Sequence, residues 1–256
     1  MVDLRKLLEF AKRAALEAAK EILVVYESDD FDIERKGDQS PLTKADKVSH
    51  KVICNILEQT GIPILSEEGR DIPFETRRQW EYFWLVDPID GTKEFIKRNG
   101  EFTVNIALIH RNEPVLGVVQ VPVSGDMYTA VKGHGAFKDG ERIFVNKCEM
   151  EDPGLRVVAS RSHLNDDTRQ FIEQINDPVI VSKGSSLKLL LVASGEADLY
   201  PRFAPTMEWD TAAAQIVVTE AGGSVLIRET QDEVHYNKEN LLNPHFLVTA
   251  ELVGNE

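Results

Sequence analysis

Cysteine is nearly absent from this chain, which has only Cys54 and Cys148 in 256 residues and no C-x-x-C pair. Two unpaired thiols fit a reducing cytoplasm, where we expect the protein to lie. Cys54 falls within a helical pattern, in which a buried, inert thiol is the ordinary interpretation. The cysteines therefore predict no chemistry of their own.

Long apolar runs are also missing. No stretch approaches the roughly 18 consecutive apolar residues of a membrane-spanning helix, so we expect no such span. The N-terminal segment is charged and amphipathic, and it lacks the apolar core of a secretory signal. With 42% hydrophobic residues over 256 positions, the composition is that of a globular protein with one large domain or two small ones.

Positive charge is scarce. Lysine and arginine number 29 against 43 aspartates and glutamates, which gives a formal net charge of −14. Binding to a nucleic acid polymer needs basic patches, so we expect no such partner. An acidic protein that binds a phosphorylated small molecule must concentrate its few cations locally or use metal ions.

Hydrophobic periodicity divides the chain into two parts. Apolar residues at helical spacing predict a long helix over 4–25 and a second helix over 44–57. Strand-like runs separated by short turns predict an antiparallel meander over 102–131. Later in the chain, short strands alternate with helices. We therefore predict an α/β fold, with an α+β part at residues 1–150 and an α/β part at residues 151–256.

The segment Trp84-Leu-Val-Asp87-Pro-Ile-Asp90-Gly-Thr92 joins an apolar lead-in to two carboxylates. The lead-in predicts a buried strand. Asp-Pro is expected to stop this strand, because proline has no amide proton for the ladder, and Asp-Gly then turns the chain. Two carboxylates at such a turn repel each other unless cations lie between them, and hard oxygen ligands suit Mg²⁺. Taken alone, the tetrad is also typical of a solvated turn.

Two further acidic stretches lie at the ends of predicted elements and favour the metal interpretation. Glu67 and Glu68 are adjacent, and in an extended segment their side chains would face opposite sides. Asp210 comes directly before a helix predicted over 211–220. An aspartate there also suits a simple N-cap, and the helix N-terminus favours a nearby phosphate.

These stretches resemble the signatures of a known family. Leu65-Ser-Glu67-Glu68-Gly, Asp87-Pro-Ile-Asp90-Gly-Thr92 and Glu208-Trp209-Asp210-Thr-Ala-Ala are similar to motifs of the lithium-sensitive, magnesium-dependent inositol monophosphatase superfamily. The continuation Lys93-Glu94-Phe resembles its CysQ branch, the 3′(2′),5′-bisphosphate nucleotidases, whereas the inositol branch usually carries a Thr-Asn-Phe-type continuation. The resemblance covers roughly residues 40–221. It implies the layered αβαβα sandwich of the inositol monophosphatases and fructose-1,6-bisphosphatases.

The resemblance also implies a magnesium site that holds two or three ions. Two divalent ions can activate a water and stabilise the leaving alkoxide in one displacement. Asp87 would be the bridging ligand, because it lies between the other carboxylates. The implied ligands are the side chains of Glu67, Asp87, Asp90 and Asp210 and the backbone carbonyl of Ile89.

Asp46 and Thr92 are implied as the catalytic pair. In the family, a threonine after Asp-Gly hydrogen-bonds an acidic residue of the second helix and orients the attacking water. Thr43-Lys-Ala-Asp46 matches that acidic motif. From residue type alone, Asp46 also suits an exposed acid in the first turn of the second helix.

Substrate recognition is expected mainly in the second half. Gly184-Ser185-Ser186-Leu-Lys188 enters a predicted helix, where small hydroxyls, free amides and a lysine make an anion site. Lys188 and Arg202 align with family positions that contact the second phosphate or the sugar. The predicted substrate contacts are Gly91, Thr92, Ser160, His163, Ser185, Lys188, Arg202 and Asp210.

The implied activity is removal of the 3′-phosphate from adenosine 3′,5′-bisphosphate (PAP), a by-product of sulfate activation, to give AMP and phosphate. The alternative keeps the fold and changes the substrate to inositol monophosphate or fructose 1,6-bisphosphate. A magnesium-binding regulatory protein without turnover fits only if Asp46 or Thr92 is misplaced. A homodimer is compatible with the sequence, and the resemblance is also compatible with a peripheral association with the inner membrane.

Overall fold

The computed structural model describes residues 2–28, 31–35, 41–159 and 165–253. In the described residues, none of the helices combines the length and the apolar character that crossing a membrane requires.

Two long helices pack together at the start of the chain. Helix α1, Leu4–Glu27, is capped by the Asp3 side chain and buries a face made largely of alanine. Helix α2, Lys44–Leu57, begins at a capping box in which Thr43 and Asp46 each bond the other's backbone amide. Small side chains on α1 let the two helices approach closely, and the predicted bounds of α2 are confirmed.

A seven-stranded sheet forms most of the first half. Its strands follow one another in sequence order, and all neighbours are antiparallel except the first pair, which is parallel. The predicted meander over 102–131 is confirmed as three neighbouring strands of this sheet. Strands β1 (Glu34–Arg35) and β2 (Pro41–Leu42) come earlier in the chain and form a separate two-stranded ribbon. The seven strands of the sheet are β3 (Ile64–Ser66), β4 (Tyr82–Asp90), β5 (Thr103–His110), β6 (Glu113–Gln120), β7 (Met127–Val131), β8 (Gly135–Lys138) and β9 (Glu141–Ile143).

The second half builds a five-stranded sheet, with strand order β12-β11-β13-β15-β14. Its strands and the short pair beside it are β10 (Lys147–Cys148), β11 (Arg156–Val158), β12 (Val179–Val181), β13 (Leu199–Arg202), β14 (Ser224–Ile227), β15 (Phe246–Thr249) and β16 (Glu251–Leu252). The remaining helices are α3 (Phe74–Arg77), α4 (Thr92–Ile96), α5 (Asp166–Glu173), α6 (Leu187–Ala193) and α7 (Glu208–Glu220).

Side chains alternate across β4 and join two cores. Trp84 and Val86 pack with α1 and α2, whereas Phe83 and Leu85 pack with α6, α7 and the inner face of the five-stranded sheet. On the outer face of that sheet, Phe171 of α5 belongs to a third cluster. The resulting order of helix, sheet, helix, sheet and helix confirms the predicted αβαβα sandwich.

Helix α7 lies unusually close to the seven-stranded sheet. A Cβ atom at Gly117 of β6 would come within 2.4 Å of the Ala213 carbonyl oxygen and 2.5 Å of Ile216 Cγ2. Glycine is therefore required for this approach, because any side chain would displace α7. The core beneath α7 includes residues of both halves, and the division into subdomains at residue 150 stays a prediction.

Candidate active site

Strand β4 does not end at Asp87, so the prediction that Asp-Pro stops the strand is wrong. The strand continues to Asp90 through an irregularity: Asp87 lies opposite Asn105 and Asp90 lies opposite Thr103, which leaves two residues of β4 facing one of β5. Proline is accommodated because a bulge interrupts the ladder where its missing amide proton would be needed. The bulge brings both carboxylates to the end of the strand.

Two local hydrogen bonds hold the bulge. The Ile89 amide donates to Asp87 Oδ1 at 3.0 Å, and the Ser49 hydroxyl of α2 donates to the Pro88 carbonyl oxygen at 2.8 Å. Both Ser49 and Asp87 are buried. These contacts satisfy backbone groups that the interrupted ladder leaves open.

Asp87 is a buried acid surrounded by other acids. Burial raises its pKa well above the ordinary value, and the nearby negative charges of Glu67, Asp90, Asp210 and Asp46 raise it further. A bound cation would stabilise the ionised form of a carboxyl group in that position. The other three predicted acidic ligands, Glu67, Asp90 and Asp210, are therefore all close enough to act on Asp87.

Asp210 lies in the first turn of α7 rather than at its cap. Met207 is the capping residue, and its amide donates to Asp210 Oδ2 at 2.8 Å. Burial, followed by the nearby charge of Asp90, raises the pKa of Asp210 to about 8. Asp210 is therefore not the N-cap of α7. One of its carboxyl oxygens accepts a local hydrogen bond, and the residue lines a cavity.

Glu67 reaches the site from a 3₁₀ turn over Glu67–Gly69. The expectation of an extended segment is wrong, although the two glutamates do act on different neighbours. Glu67 raises the pKa of Asp87, whereas Glu68 acts on His50 of α2. The turn, rather than strand alternation, separates them.

The donor set fits magnesium. Carboxylates and one backbone carbonyl are hard oxygen ligands. Burial and the nearby acids destabilise the ionised forms of Asp87 and Asp210, and a bound cation would stabilise them. Within the described part of the chain, no three His, Cys, Asp or Glu side chains are already arranged to hold a metal ion. Asp87, Asp90 and Asp210 each accept a hydrogen bond from the protein instead.

Asp46 and Thr92 meet, as predicted for the catalytic pair. The Thr92 hydroxyl donates to Asp46 Oδ1 at 3.2 Å, while Asp46 Oδ2 accepts from the Thr43 amide at 2.8 Å and the Thr43 hydroxyl at 2.5 Å. Asp46 is 1% exposed, which rules out an exposed first-turn acid. The capping box thus fixes Asp46 with one oxygen turned to Thr92.

One cavity of about 470 Å³ collects residues of both halves. Its lining includes the acids Glu67, Asp90 and Asp210 together with the cations Lys188 and Arg202. Negative and positive groups in one cavity suit a phosphorylated ligand that is approached by metal ions on one side and by protein cations on the other. Gly91, Thr92 and Ser185 also line it.

The cationic part of the cavity contains buried polar atoms that have no hydrogen-bond partner in the described structure. Burial lowers the pKa of Lys188, although Asp90 acts in the opposite direction, and Lys188 Nζ donates to the Ser185 carbonyl oxygen at 2.7 Å. Ser185 Oγ and Arg202 Nε are buried without a hydrogen-bond partner in the described structure. Unsatisfied donors beside a destabilised ammonium favour an anion.

Gly91 shapes the floor of the cavity. Its φ of +96° lies in the region that favours glycine, and a Cβ atom there would come within 3.1 Å of the Glu101 carbonyl oxygen and 3.2 Å of Ser185 Cβ. The glycine therefore allows α4 to start next to the 184–186 loop. Two other predicted contacts, Ser160 and His163, lie outside the described residues.

Sequence reasoning missed two polar residues behind the carboxylates, Ser49 and Asn105, and it assigned Ser186 to an anion site, whereas its hydroxyl bonds Asp90 Oδ2 and the Asp210 carbonyl oxygen. Asn105 Nδ2 donates to Ser186 Oγ at 2.8 Å, and both residues are buried. Asn105 is the one polar residue between Thr103 and His110, which is a signal that sequence analysis could have used.

Comparison with known proteins places this architecture in a family. Residues 3–253 match the sequence profile of the Inositol monophosphatase family. The 3′(2′),5′-bisphosphate nucleotidase CysQ of Salmonella typhimurium strain LT2 is 45% identical over 249 residues, which is 95% of this chain and 99% of the relative. The protein of the same name from Escherichia coli K12 is 45% identical over 241 residues, covering 92% of this chain and 96% of the relative.

Solved structures agree. A crystal structure of CysQ from Bacteroides thetaiotaomicron, a bacterial member of the inositol monophosphatase family, superposes with a TM-score of 0.86 at 44% identity, covering 96% of this chain and 97% of that chain. An IMPase from Thermotoga maritima superposes with a TM-score of 0.78 at 26% identity, over 95% and 92% of the two chains. The predicted family resemblance is confirmed.

Proposed function

This chain belongs to the inositol monophosphatase family, and from that premise we propose that it is a magnesium-dependent phosphatase that converts PAP to AMP and phosphate. The observation that carries the proposal is the cavity in which Glu67, Asp90 and Asp210 share a lining with Lys188 and Arg202. A substrate with two phosphates can use both parts. The 45% identity to nucleotidases over 95% of the chain favours the nucleotide over inositol or fructose phosphates.

The acidic part of the cavity would hold the metal. Glu67, Asp87, Asp90 and Asp210 are the side-chain ligands, with the Ile89 carbonyl beside them, and together they would bind two or three Mg²⁺. When bound, the ions lower the pKa of water and neutralise charge on the reacting phosphate. Protonation of Asp87 and Asp210 competes with that binding, because burial raises both pKa values.

Thr92 and Asp46 would orient the attacking water. The Thr92 hydroxyl donates its proton in a hydrogen bond to Asp46 Oδ1, so the lone pairs of Thr92 Oγ1 would accept a hydrogen bond from a water in the cavity. Asp46 is held by Thr43 on its other oxygen and has little freedom to turn away. The arrangement aligns the water and gives its proton a path toward a buried carboxylate.

The cationic part would bind the second phosphate. Arg202 Nε is buried without a hydrogen-bond partner in the described structure, and Lys188 Nζ donates only to the Ser185 carbonyl oxygen among the bonds described, so a phosphate would supply acceptors to both. Ser185 Oγ and the Gly91 backbone lie at the same cavity and complete the predicted contacts. In this arrangement Lys188 and Arg202 recognise the group that a bisphosphate has and a monophosphate lacks.

The test is a panel of phosphate-release assays with Mg²⁺. The substrates are adenosine 3′,5′-bisphosphate, its 2′,5′ isomer, the sulfated analogue, inositol 1-phosphate and fructose 1,6-bisphosphate. We expect kcat/KM to be highest for the adenosine bisphosphates and to vanish with a chelator. A higher kcat/KM for inositol 1-phosphate would transfer the assignment to the inositol monophosphatases proper, and activity that survives chelation would refute the metal requirement.

A further inference from the structure

Ser186 connects acidic groups that come from different halves of the chain. Its hydroxyl oxygen lies 2.7 Å from Asp90 Oδ2 and 2.8 Å from the backbone carbonyl oxygen of Asp210. Asn105 Nδ2 lies 2.8 Å from the same hydroxyl oxygen. Ser186 and Asn105 are each only 1% exposed, so bulk water does not compete for these contacts.

Proton counting determines the direction of each hydrogen bond. A hydroxyl has one proton to donate. If Asn105 turned its amide oxygen toward Ser186, that single proton would face three acceptors, so the amide nitrogen must donate instead. The hydroxyl proton is then shared between two acceptors, Asp90 Oδ2 at 2.7 Å and the Asp210 carbonyl oxygen at 2.8 Å.

Two consecutive hydrogen bonds therefore link Asn105 to Ser186 and Ser186 to Asp90. Asn105 of β5 lies directly opposite Asp87 of β4 in the strand register, so this hydrogen-bonded link begins on the strand next to the one that carries the carboxylates. Ser186 lies just before α6 and also contacts the first turn of α7. One hydroxyl thereby sets the orientation of Asp90 and its position relative to the turn that carries Asp210.

We propose that Ser186 is a positioning residue for the metal site, which holds the Asp90 carboxyl group in the orientation needed to bind Mg²⁺. The proposal rests on the metal-dependent function proposed above. Ser186 needs no contact with substrate for this role, since it acts through the carboxylate. Groups that orient metal ligands in this way typically change metal affinity about 10–100-fold when removed.

The experiment measures Mg²⁺ binding to the chelator-treated protein by calorimetry, without substrate. We expect Ser186→Ala to bind Mg²⁺ about 10–100-fold more weakly than the wild type. The matched control is Ser194→Ala at the other end of α6, where the hydroxyl donates to the Leu190 carbonyl oxygen at 2.8 Å, and it should bind like the wild type. Ser186→Thr, which keeps the hydroxyl, should restore most of the affinity.

Thermal unfolding in EDTA separates positioning from a purely structural role. A structural role would lower the unfolding temperature of the metal-free Ser186→Ala variant and leave the Mg²⁺ affinity of its folded form unchanged, which would overturn the proposal while the proposed function stands. A wild-type protein that binds no Mg²⁺ would refute the function and this proposal together. If Ser186→Ala does not fold, Ser186→Thr decides, and a tenfold weaker affinity in that variant would overturn the role.

Discussion

Replacing Lys188 by methionine tests whether the cavity recognises a second phosphate. Methionine keeps an unbranched stem of similar length and removes only the ammonium group. Burial lowers the pKa of Lys188, because it removes water that would stabilise the charged ammonium group. An anionic ligand beside this ammonium group would therefore replace the missing stabilisation. A hydrogen bond between charged groups contributes about 1.5–3 kcal/mol. We therefore expect kcat/KM for PAP to fall about tenfold to a hundredfold.

Two substrates make the assay specific. Adenosine 3′-monophosphate has the same scissile phosphate as PAP and lacks the 5′-phosphate, so Lys188→Met should change its hydrolysis little. The loss for PAP should appear mainly in KM, because a contact remote from the reacting bond is equally strong in the ground and transition states. Arg202→Ala should behave alike, since Arg202 Nε is buried without a partner in the described structure.

Lys183→Met is the matched control. Lys183 lines the same cavity, yet its side chain is 43% exposed and lies 3.7 Å from Glu101 in an ion pair, so its charge is already compensated. We expect less than a threefold change in this variant. Equal losses on PAP and the monophosphate in Lys188→Met, or a loss confined to kcat, would refute the reasoning and place Lys188 near the reacting phosphate instead.

Four further predictions address the metal site and the packing of α7. Asp90→Asn should fold normally and lose several orders of magnitude in kcat at saturating Mg²⁺, because one charged ligand is removed; near wild-type turnover would contradict the ligand assignment. Lithium should inhibit phosphate release at millimolar concentration, as in the lithium-sensitive family, and full activity at tens of millimolar would count against it. Gly117→Ala should destabilise the protein by about 1–3 kcal/mol or more in urea unfolding, because its Cβ would come within 2.4 Å of the Ala213 carbonyl oxygen; an unchanged midpoint would refute the close approach. In EDTA, the folded state holds the Asp210 proton up to about pH 8, while the unfolded state releases it near pH 3.8. The free energy of unfolding should therefore fall as pH rises between these two values, by at most about 1.4 kcal/mol per pH unit, and Asp210→Asn should flatten this slope.

The sequence by itself determined the elements and the chemistry of the acidic groups. Helix periodicity over 44–57 and strand periodicity over 102–131 are local properties, since each depends on side chains a few residues apart, and both elements form where predicted. The acidic motifs were recognisable for a similar reason. Their residue types and short spacings carry the ligand chemistry whatever the surrounding packing.

Local rules failed where a long-range contact compensates a local cost. Asp-Pro normally ends a strand, yet β4 continues because Ser49, 39 residues earlier, donates to the Pro88 carbonyl oxygen beside the bulge. Asp46 looks like an exposed helix acid in sequence, and it is buried because α2 packs against the segment that carries Thr92. No spacing rule reports such contacts.

Only the tertiary structure decided which groups meet. Asn105, Ser186 and Asp90 are separated by up to 96 residues along the chain, and the packing of α6 and α7 on the seven-stranded sheet brings them within hydrogen-bond distance. The same packing buries Asp87 and Asp210 and so raises their pKa values. Residue type sets what a carboxylate can bind, but its desolvation and its neighbours depend on the whole fold, because electrostatic interactions act through space rather than along the chain.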